Sequence, residues 1–172
     1  ITEKMIKALS DIFRYNLKND EQRVSLAREI KVTQDYMYLQ HMRFGARISY
    51  RIDCRVDTQK YQIPTFTFQP LVENAIIHGL APKVEGGKIK ISVWEKGGSL
   101  LIIVADNGVG MPEETRDRLR AEILQNSKKE MGIGFTNVSR RILAMYPEAR
   151  VGLFSREKRG TIVKIEIPIG GE

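Results

Sequence analysis

The stretch "KIKISVWEKGGSLLIIVADNGVGM", residues 88–111, limits what this chain can fold into more than any other. Ile89, Ile91 and Val93 alternate with Lys88, Lys90 and Ser92, the period of a strand with one wet face. After the Gly97–Gly98 turn, Leu100 to Ala105 is apolar at both parities. A strand of that kind needs cover on both sides, so it sits inside a sheet and not at its edge.

The rest of the chain supplies that cover. Met5, Ile6, Leu9, Ile12 and Phe13 recur at helical spacing within residues 1–18, and "KNDEQR" interrupts the pattern. It resumes with Leu26, Ile30, Met37 and Phe44 on one stripe, where His41 beside the last turn reads as a packed boundary residue. "ISYRIDCRV" alternates as a half-buried strand, with Ile48, Tyr50, Ile52, Cys54 and Val56 on one face. A helix is expected from Phe66 to His78, with Pro70 tolerated in its first turn and Gly79 as its stop. "MPEETRDRLRAEILQ" opens with proline and acids and continues with arginines, as a helix dipole favours. "NSKKEMGIG" reads as a loop, "FTNVSRRILAMY" as a helix, and "RVGLFSREKRGTIVKIEIP" as two strands around a turn. These elements predict an α+β fold, a sandwich with an N-terminal helical extension. The boundary is expected near residue 45, with a helical region at 1–45 and the α+β domain at 46–172.

Composition removes several classes of function. With one cysteine, Cys54, the chain makes no internal disulfide, and no cysteine and histidine cluster offers a zinc site. No run of apolar residues is long enough to span a bilayer. The net charge of +7 suits an anionic partner, but its basic residues are scattered among acids in "RFGAR", "RDRLR" and "SREKRG". Nucleic acid is therefore not expected as a partner, nor is membrane contact by this stretch of chain.

Four short segments can carry chemistry. "LVENAIIHG" sets Glu73, Asn74 and His78 on one helix, where a solvated outer face explains them as well as a site does. "ADNGVGM" puts Asp106 at the end of the buried strand, followed by Gly108 and Gly110; Asp-Asn-Gly is also an ordinary turn signal. "MGIGFTNV" places Gly132 and Gly134 just before a helix N-terminus, an arrangement that favours phosphate. "RGTIVKI" brings Gly160 and Thr161 to the start of the last strand, which turn chemistry alone would also explain.

Taken in that order, the four segments resemble the GHKL ATP-binding fold of histidine kinases, gyrase-type ATPases and Hsp90. "FQPLVENAIIHG", with "LSDIFRYNL" and "YLQHMRF" upstream, is similar to the LytS/YesM-type sensor histidine kinases. The resemblance covers nearly the whole chain. It implies a Bergerat-type two-layer α/β sandwich, a mixed sheet covered on one face by helices. It also implies ATP and Mg²⁺ as ligands.

By the same resemblance, Asn74 would be the Mg²⁺ ligand, and Glu73 would orient a metal water or polarise the accepting group. His78 would pack on adenine, Asp106 would accept from the adenine amino group, and Gly108 and Gly110 would make room for the base. Residues 112–131 would form a lid, with Gly132 and Gly134 as hinge and phosphate cradle. Met111, Ile133 and Phe135 would join the nucleotide contacts, and Thr161 would close the adenine side through a water. Many kinases of this fold have lysine where this chain has Ile77, so Lys128, Lys129 or Arg140 would replace that phosphate contact. Pro70 stands where hydrolytic members have glutamate, which favours phosphoryl transfer to a protein over hydrolysis.

Relatives of this type carry their acceptor histidine in a Pro-His-Phe-type motif upstream, and only His41 and His78 occur here. The expectation is therefore a catalytic fragment of a cytoplasmic kinase module, from a parent anchored in the inner membrane. That parent would be a homodimer that passes phosphate to a response regulator. The alternative is a non-catalytic nucleotide-binding or partner-binding module of the same fold.

Overall fold

A computed structural model describes residues 2–17, 22–125 and 134–169. Its first elements are helix α1 (Thr2–Leu17), a short strand β1 (Arg23–Ser25) and helix α2 (Leu26–Phe44). Ser25 caps α2 by accepting the Arg28 N–H at 3.2 Å. Gly45, in the left-handed region at φ 60°, ends the helix by donating its N–H to the His41 carbonyl. Next come β2 (Ile48–Cys54), β3 (Gln62–Pro64), and α3 (Gln69–Asn74), which continues as a π-helical turn over Ala75–Leu80. The chain closes with β4 (Gly87–Lys96), β5 (Ser99–Asp106), α4 (Glu113–Leu124), α5 (Gly134–Met145), β6 (Arg150–Arg156) and β7 (Gly160–Pro168).

Five strands form a mixed sheet in the order β2-β4-β5-β7-β6, with β2 and β4 parallel and the other neighbours antiparallel. The apolar strand β5 lies at its centre, as its sequence requires. Register aligns Ile91 with Val104, Val93 with Ile102, and Ile102 with Ile165, so one face presents a continuous aliphatic surface. Leu71, Val72 and Ile76 of α3 and Phe135, Val138 and Ile142 of α5 complete that core. Each such side chain contributes roughly 1.5–3 kcal/mol by leaving water. The fold is the expected α+β sandwich with a helical extension, and α2 lends Leu26 and Met37 to its main core.

Four details depart from the sequence reading. In α1 the buried residues are Ala8, Ile12 and Tyr15, whereas Ile6, Leu9 and Phe13 stay exposed, because α2 covers the other side. His41 is exposed instead of packed. Strands β1 and β3 pair into a separate two-stranded sheet with Val24 opposite Ile63, in segments too short to show a period. The helix after Phe66 neither starts there nor ends at Gly79: Phe66 has φ 61°, and the π turn carries the chain on to Leu80. Gly79 is buried inside that turn and accepts the Val109 N–H at 2.9 Å, so it serves close packing and not termination.

Candidate nucleotide site

The end of β5 and the π turn of α3 form two walls of one cavity. Asn74, His78, Asp106, Gly110, Met111, Phe135 and Thr161 all line it, on a floor that includes Leu71, Val104 and Val163. The site thus gathers residues from α3, β5, α5 and β7. Asp106 is the one carboxylate among these lining residues.

The packing that holds Asp106 is tight. Its Oδ1 accepts the Gly108 N–H at 2.8 Å, and its main chain lies opposite Thr161 in the ladder. Burial pushes its pKa up to about 6, against the lowering effect of the Gly108 and Thr161 N–H groups. A Cβ on Gly79 would come within 2.9 Å of Asp106 Oδ1. The expected space around the other glycines is taken by protein. A Cβ at Gly108 would lie 2.4 Å from the Gly79 carbonyl carbon, and one at Gly110, with φ +66°, would lie 2.0 Å from Arg156 O. These glycines let the 106–111 loop press against α3 and the β6–β7 turn. Gly108 does not itself line the cavity.

Ser155 is a contributor that sequence reading missed. It accepts the Met111 N–H at 3.1 Å, bonds the Gly160 carbonyl at 3.0 Å, and lies 2.8 Å from the Thr161 hydroxyl. One hydroxyl thus joins the 106–111 loop to the last hairpin. The only signal in sequence was a polar residue at an inward-facing strand position. Ser155→Ala is expected to lower the unfolding free energy by about 1 kcal/mol while ADP affinity stays within about threefold, measurable by urea denaturation and calorimetry.

At the end of the cavity beside α5, the Asn74 carboxamide has its oxygen toward the start of that helix, the orientation assigned by its hydrogen bonds. It accepts from Phe135 N–H at 3.2 Å and Gly134 N–H at 3.3 Å. These are the free amides of a helix N-terminus, so Asn74 meets the groups that also favour an anion. Gly134 packs here, with a Cβ predicted 2.9 Å from Pro70 O. Glu73, about 100° further round the helix, does not line the cavity. It accepts from Gln69 Nε2 at 3.0 Å. It also lies near enough to Tyr36 of α2 to add to the burial that pushes that phenol up to about 12. Arg140 sits in the second turn of α5, off the cavity lining, while Lys128, Lys129, Gly132 and Ile133 lie outside the described residues.

The donor set fits a nucleotide better than a free metal ion. Among the described residues no three histidine, cysteine or acidic side chains gather to hold a cation. A lone carboxamide fits Mg²⁺ only where ligand phosphates and waters supply the other positions, the usual manner of that ion.

Residues 64–171 match the family model described as histidine kinase-, DNA gyrase B-, and HSP90-like ATPase. The chain belongs to this family of ATPases. Residues 1–48 match a second model, that of histidine kinase. The chain is 36% identical over 170 residues to the sensor histidine kinase YpdA of Escherichia coli, covering 96% of this chain and 28% of that protein. An uncharacterized sensor-like histidine kinase of Staphylococcus epidermidis is 32% identical, with 98% and 33% covered. The chain thus spans about a third of the length of these curated relatives. The fold is similar to the histidine kinase domain of a blue-light activated kinase from Erythrobacter litoralis, with TM-score 0.61 and 18% identity over 97% of this chain and 74% of that one. The histidine kinase AdeS of Acinetobacter baumannii gives TM-score 0.61 at 13% identity, over 96% and 77%. The ATP-binding character of the domain follows from its family. No helix among the described residues is long and apolar enough to cross a membrane.

Proposed function

We propose that this chain is the ATP-binding and phosphotransfer part of a sensor histidine kinase. The observation that carries the reading is a half-buried carboxylate, Asp106, on an otherwise apolar cavity floor, with Asn74 and the α5 N-terminus at the phosphate end. Adenine would lie over Val104 and Val163 with its amino group on Asp106, beside His78, Gly110, Met111 and Thr161. Its phosphates would meet the Gly134 and Phe135 amides. Asn74 would hold Mg²⁺, and the bound ion would neutralise charge on the phosphates.

In the reaction the bond from the γ-phosphorus to the β-bridging oxygen breaks and a bond to an imidazole nitrogen of the acceptor forms. ADP leaves, and the imidazole proton passes to a base. Glu73, which faces α2, is our candidate for that base. The protein's contribution is placement and charge stabilisation.

We take residues 1–45 as the end of a dimerisation region and 46–172 as the catalytic domain. Support for a dimer in the longer protein comes from Ile6, Leu9, Phe13 and Leu17, an exposed stripe along α1. A response regulator is the proposed final acceptor. The parent is proposed to be membrane-anchored, with this part in the cytoplasm.

The test is labelling with γ-phosphate-labelled ATP and Mg²⁺. This chain alone is expected to bind nucleotide and to take no acid-labile label on His41 or His78. A longer protein with an acceptor segment ahead of α1 is expected to become labelled. A chain with no measurable ATP or ADP binding would defeat the proposal and leave a partner-binding module. Label on His41 would move the acceptor into this chain.

A further inference from the structure

The most completely buried acid in the described structure is not in the cavity. Glu29 of α2 is 2% exposed, and its carboxylate points at the chain just before α3. Oε1 accepts the Phe66 N–H at 2.9 Å, and Oε2 accepts those of Thr67 at 2.9 Å and Phe68 at 3.1 Å. A side chain from another helix thus satisfies donors at the entry to α3, as a local capping residue would. Tyr15 of α1 donates its hydroxyl to the same Oε1, and that hydroxyl lies 3.3 Å from the Phe66 nitrogen as its acceptor. The Tyr15 ring meets Phe66 edge-on at 5.1 Å.

Phe66 is held from its other side as well. Its carbonyl accepts Arg141 Nη2 of α5 at 2.6 Å. Its φ of 61° is a left-handed conformation that a bulky residue keeps only when its surroundings impose it. One residue therefore connects α1, α2, the start of α3 and α5. Asn74 lies on α3 just beyond, and the Gly134 and Phe135 amides open α5.

We propose that Glu29 is a positioning residue for the nucleotide site, setting the distance between Asn74 and the α5 amides through Phe66, and that Tyr15 makes this setting depend on where α1 lies. The inference rests on the reading that the cavity takes Mg²⁺ and nucleotide. The carboxylate holds this entry in one arrangement: an apolar side chain would leave the Phe66, Thr67 and Phe68 N–H groups without their acceptor, and the chain before α3 would have to move to find another. Burial, followed by the neighbouring carboxylate, pushes the Tyr15 phenol far above its usual range, so it remains a proton donor throughout ordinary conditions. Arg141 is drawn downward by burial and held up by Glu29 and Tyr15, which ties it to the same group.

The experiment compares Glu29→Gln, Tyr15→Phe and Val32→Ala in the full chain. Val32 is buried in the same small cluster as Tyr15 but makes no contact of this kind, so it controls for stability. Each protein is titrated with Mg²⁺ and ADP in a calorimeter at a temperature where thermal unfolding shows it folded. Backbone amides of Phe66 and Gly134 and the Asn74 carboxamide are followed by ¹⁵N spectra. Glu29→Gln is expected to weaken ADP about fivefold or more, since an amide cannot accept from all three N–H groups, and to move the Gly134 and Asn74 signals. Tyr15→Phe, which keeps the ring, is expected to move the same signals and weaken ADP about twofold to threefold. Val32→Ala should lower the melting temperature and leave affinity unchanged.

Affinity unchanged in Glu29→Gln, or lost equally in Val32→Ala, would reduce Glu29 to a structural role. If Glu29→Gln does not fold, Tyr15→Phe decides alone, and unmoved Gly134 and Asn74 signals there overturn the coupling. A natural chain that binds no ADP removes the proposed function and this inference together. Binding by the natural chain with silent variants removes the inference only.

Discussion

Asp106→Asn is expected to bind ADP at least about tenfold more weakly than the natural chain, and yet to unfold at higher temperature without nucleotide. Both effects come from one buried charge. On the proposed reading, the ionised carboxylate of the natural protein accepts from the adenine amino group, a charge-assisted bond of about 1.5–3 kcal/mol. Guanine presents a carbonyl oxygen at that place, so GDP should bind at least about tenfold less well than ADP. Asparagine can rotate to offer a donor or an acceptor, and most of that preference should vanish.

The stability effect has a defined pH window. A carboxyl raised from 3.8 to about 6 binds more protons folded than unfolded between those values. Its ionisation therefore lowers stability as pH rises through that window, and the loss is complete above about 6. Asp106→Asn removes the loss, and each kcal/mol recovered raises the melting temperature by about 2–4 °C for a chain of this size. The advantage of the variant should disappear below pH 3.8, where both side chains are neutral. Conversely, ADP affinity of the natural chain should fall as pH drops through about 6, because binding needs the ionised form. Melting curves and calorimetry across that range check every part. An unchanged ratio of ADP to GDP affinity would take Asp106 out of the adenine site.

What could be read from sequence follows from where the information lies. The centrality of β5 was legible because a two-sided apolar strand has few possible places, and Asp106 was legible because it ends that strand. Tyr15 and Glu29 were not. The helical spacing in α1 is that of Met5, Ile6, Leu9, Ile12 and Phe13; of these Ile12 is buried, Ile6, Leu9 and Phe13 form an exposed stripe, and the buried face is completed by Ala8 and Tyr15. Periodicity reports that a helix has an apolar face, and here the folded chain covers only the edge of it that includes Ile12. Glu29 reads as a surface acid in the first turn of α2, where a helix dipole favours it. Its N–H partners lie 37 to 39 positions away and Tyr15 lies 14 away, and nothing local announces them.

The glycines show the same limit. Gly79 in "IIHG" carries a stop signal, but the π turn passes through it, and a Cβ there would come within 2.9 Å of Asp106 Oδ1. Asn74 and His78 still reach one cavity, although the turn between them is wider than an α-helical one. Residue identity picked out several segments that line one cavity; its tight geometry comes from contacts between segments distant in sequence.

The largest effect is expected at Asn74. In a longer protein that includes an acceptor histidine, Asn74→Ala should lower phosphoryl transfer at least about a hundredfold, the scale of losing a group that places charge-neutralising partners on a transferring phosphate. This side chain has one observed contact and one proposed role. Its oxygen is the candidate metal ligand, and in the described arrangement it also accepts from the Gly134 and Phe135 N–H groups. A phosphate would use those same donors, so nucleotide and carboxamide compete for the α5 N-terminus. Alanine removes the ligand and the competitor together. Affinity for ADP with Mg²⁺ should therefore fall at least about tenfold, while metal-free affinity stays within about threefold. Asn74→Asp separates the two. A carboxylate can still hold the ion, but it binds the two N–H groups more strongly and repels phosphate, so metal-free ADP binding should weaken more than in Asn74→Ala. Titrations of both variants with Mg²⁺ and with EDTA distinguish these outcomes, and equal losses under the two conditions in Asn74→Ala would reject a metal-binding role for the residue.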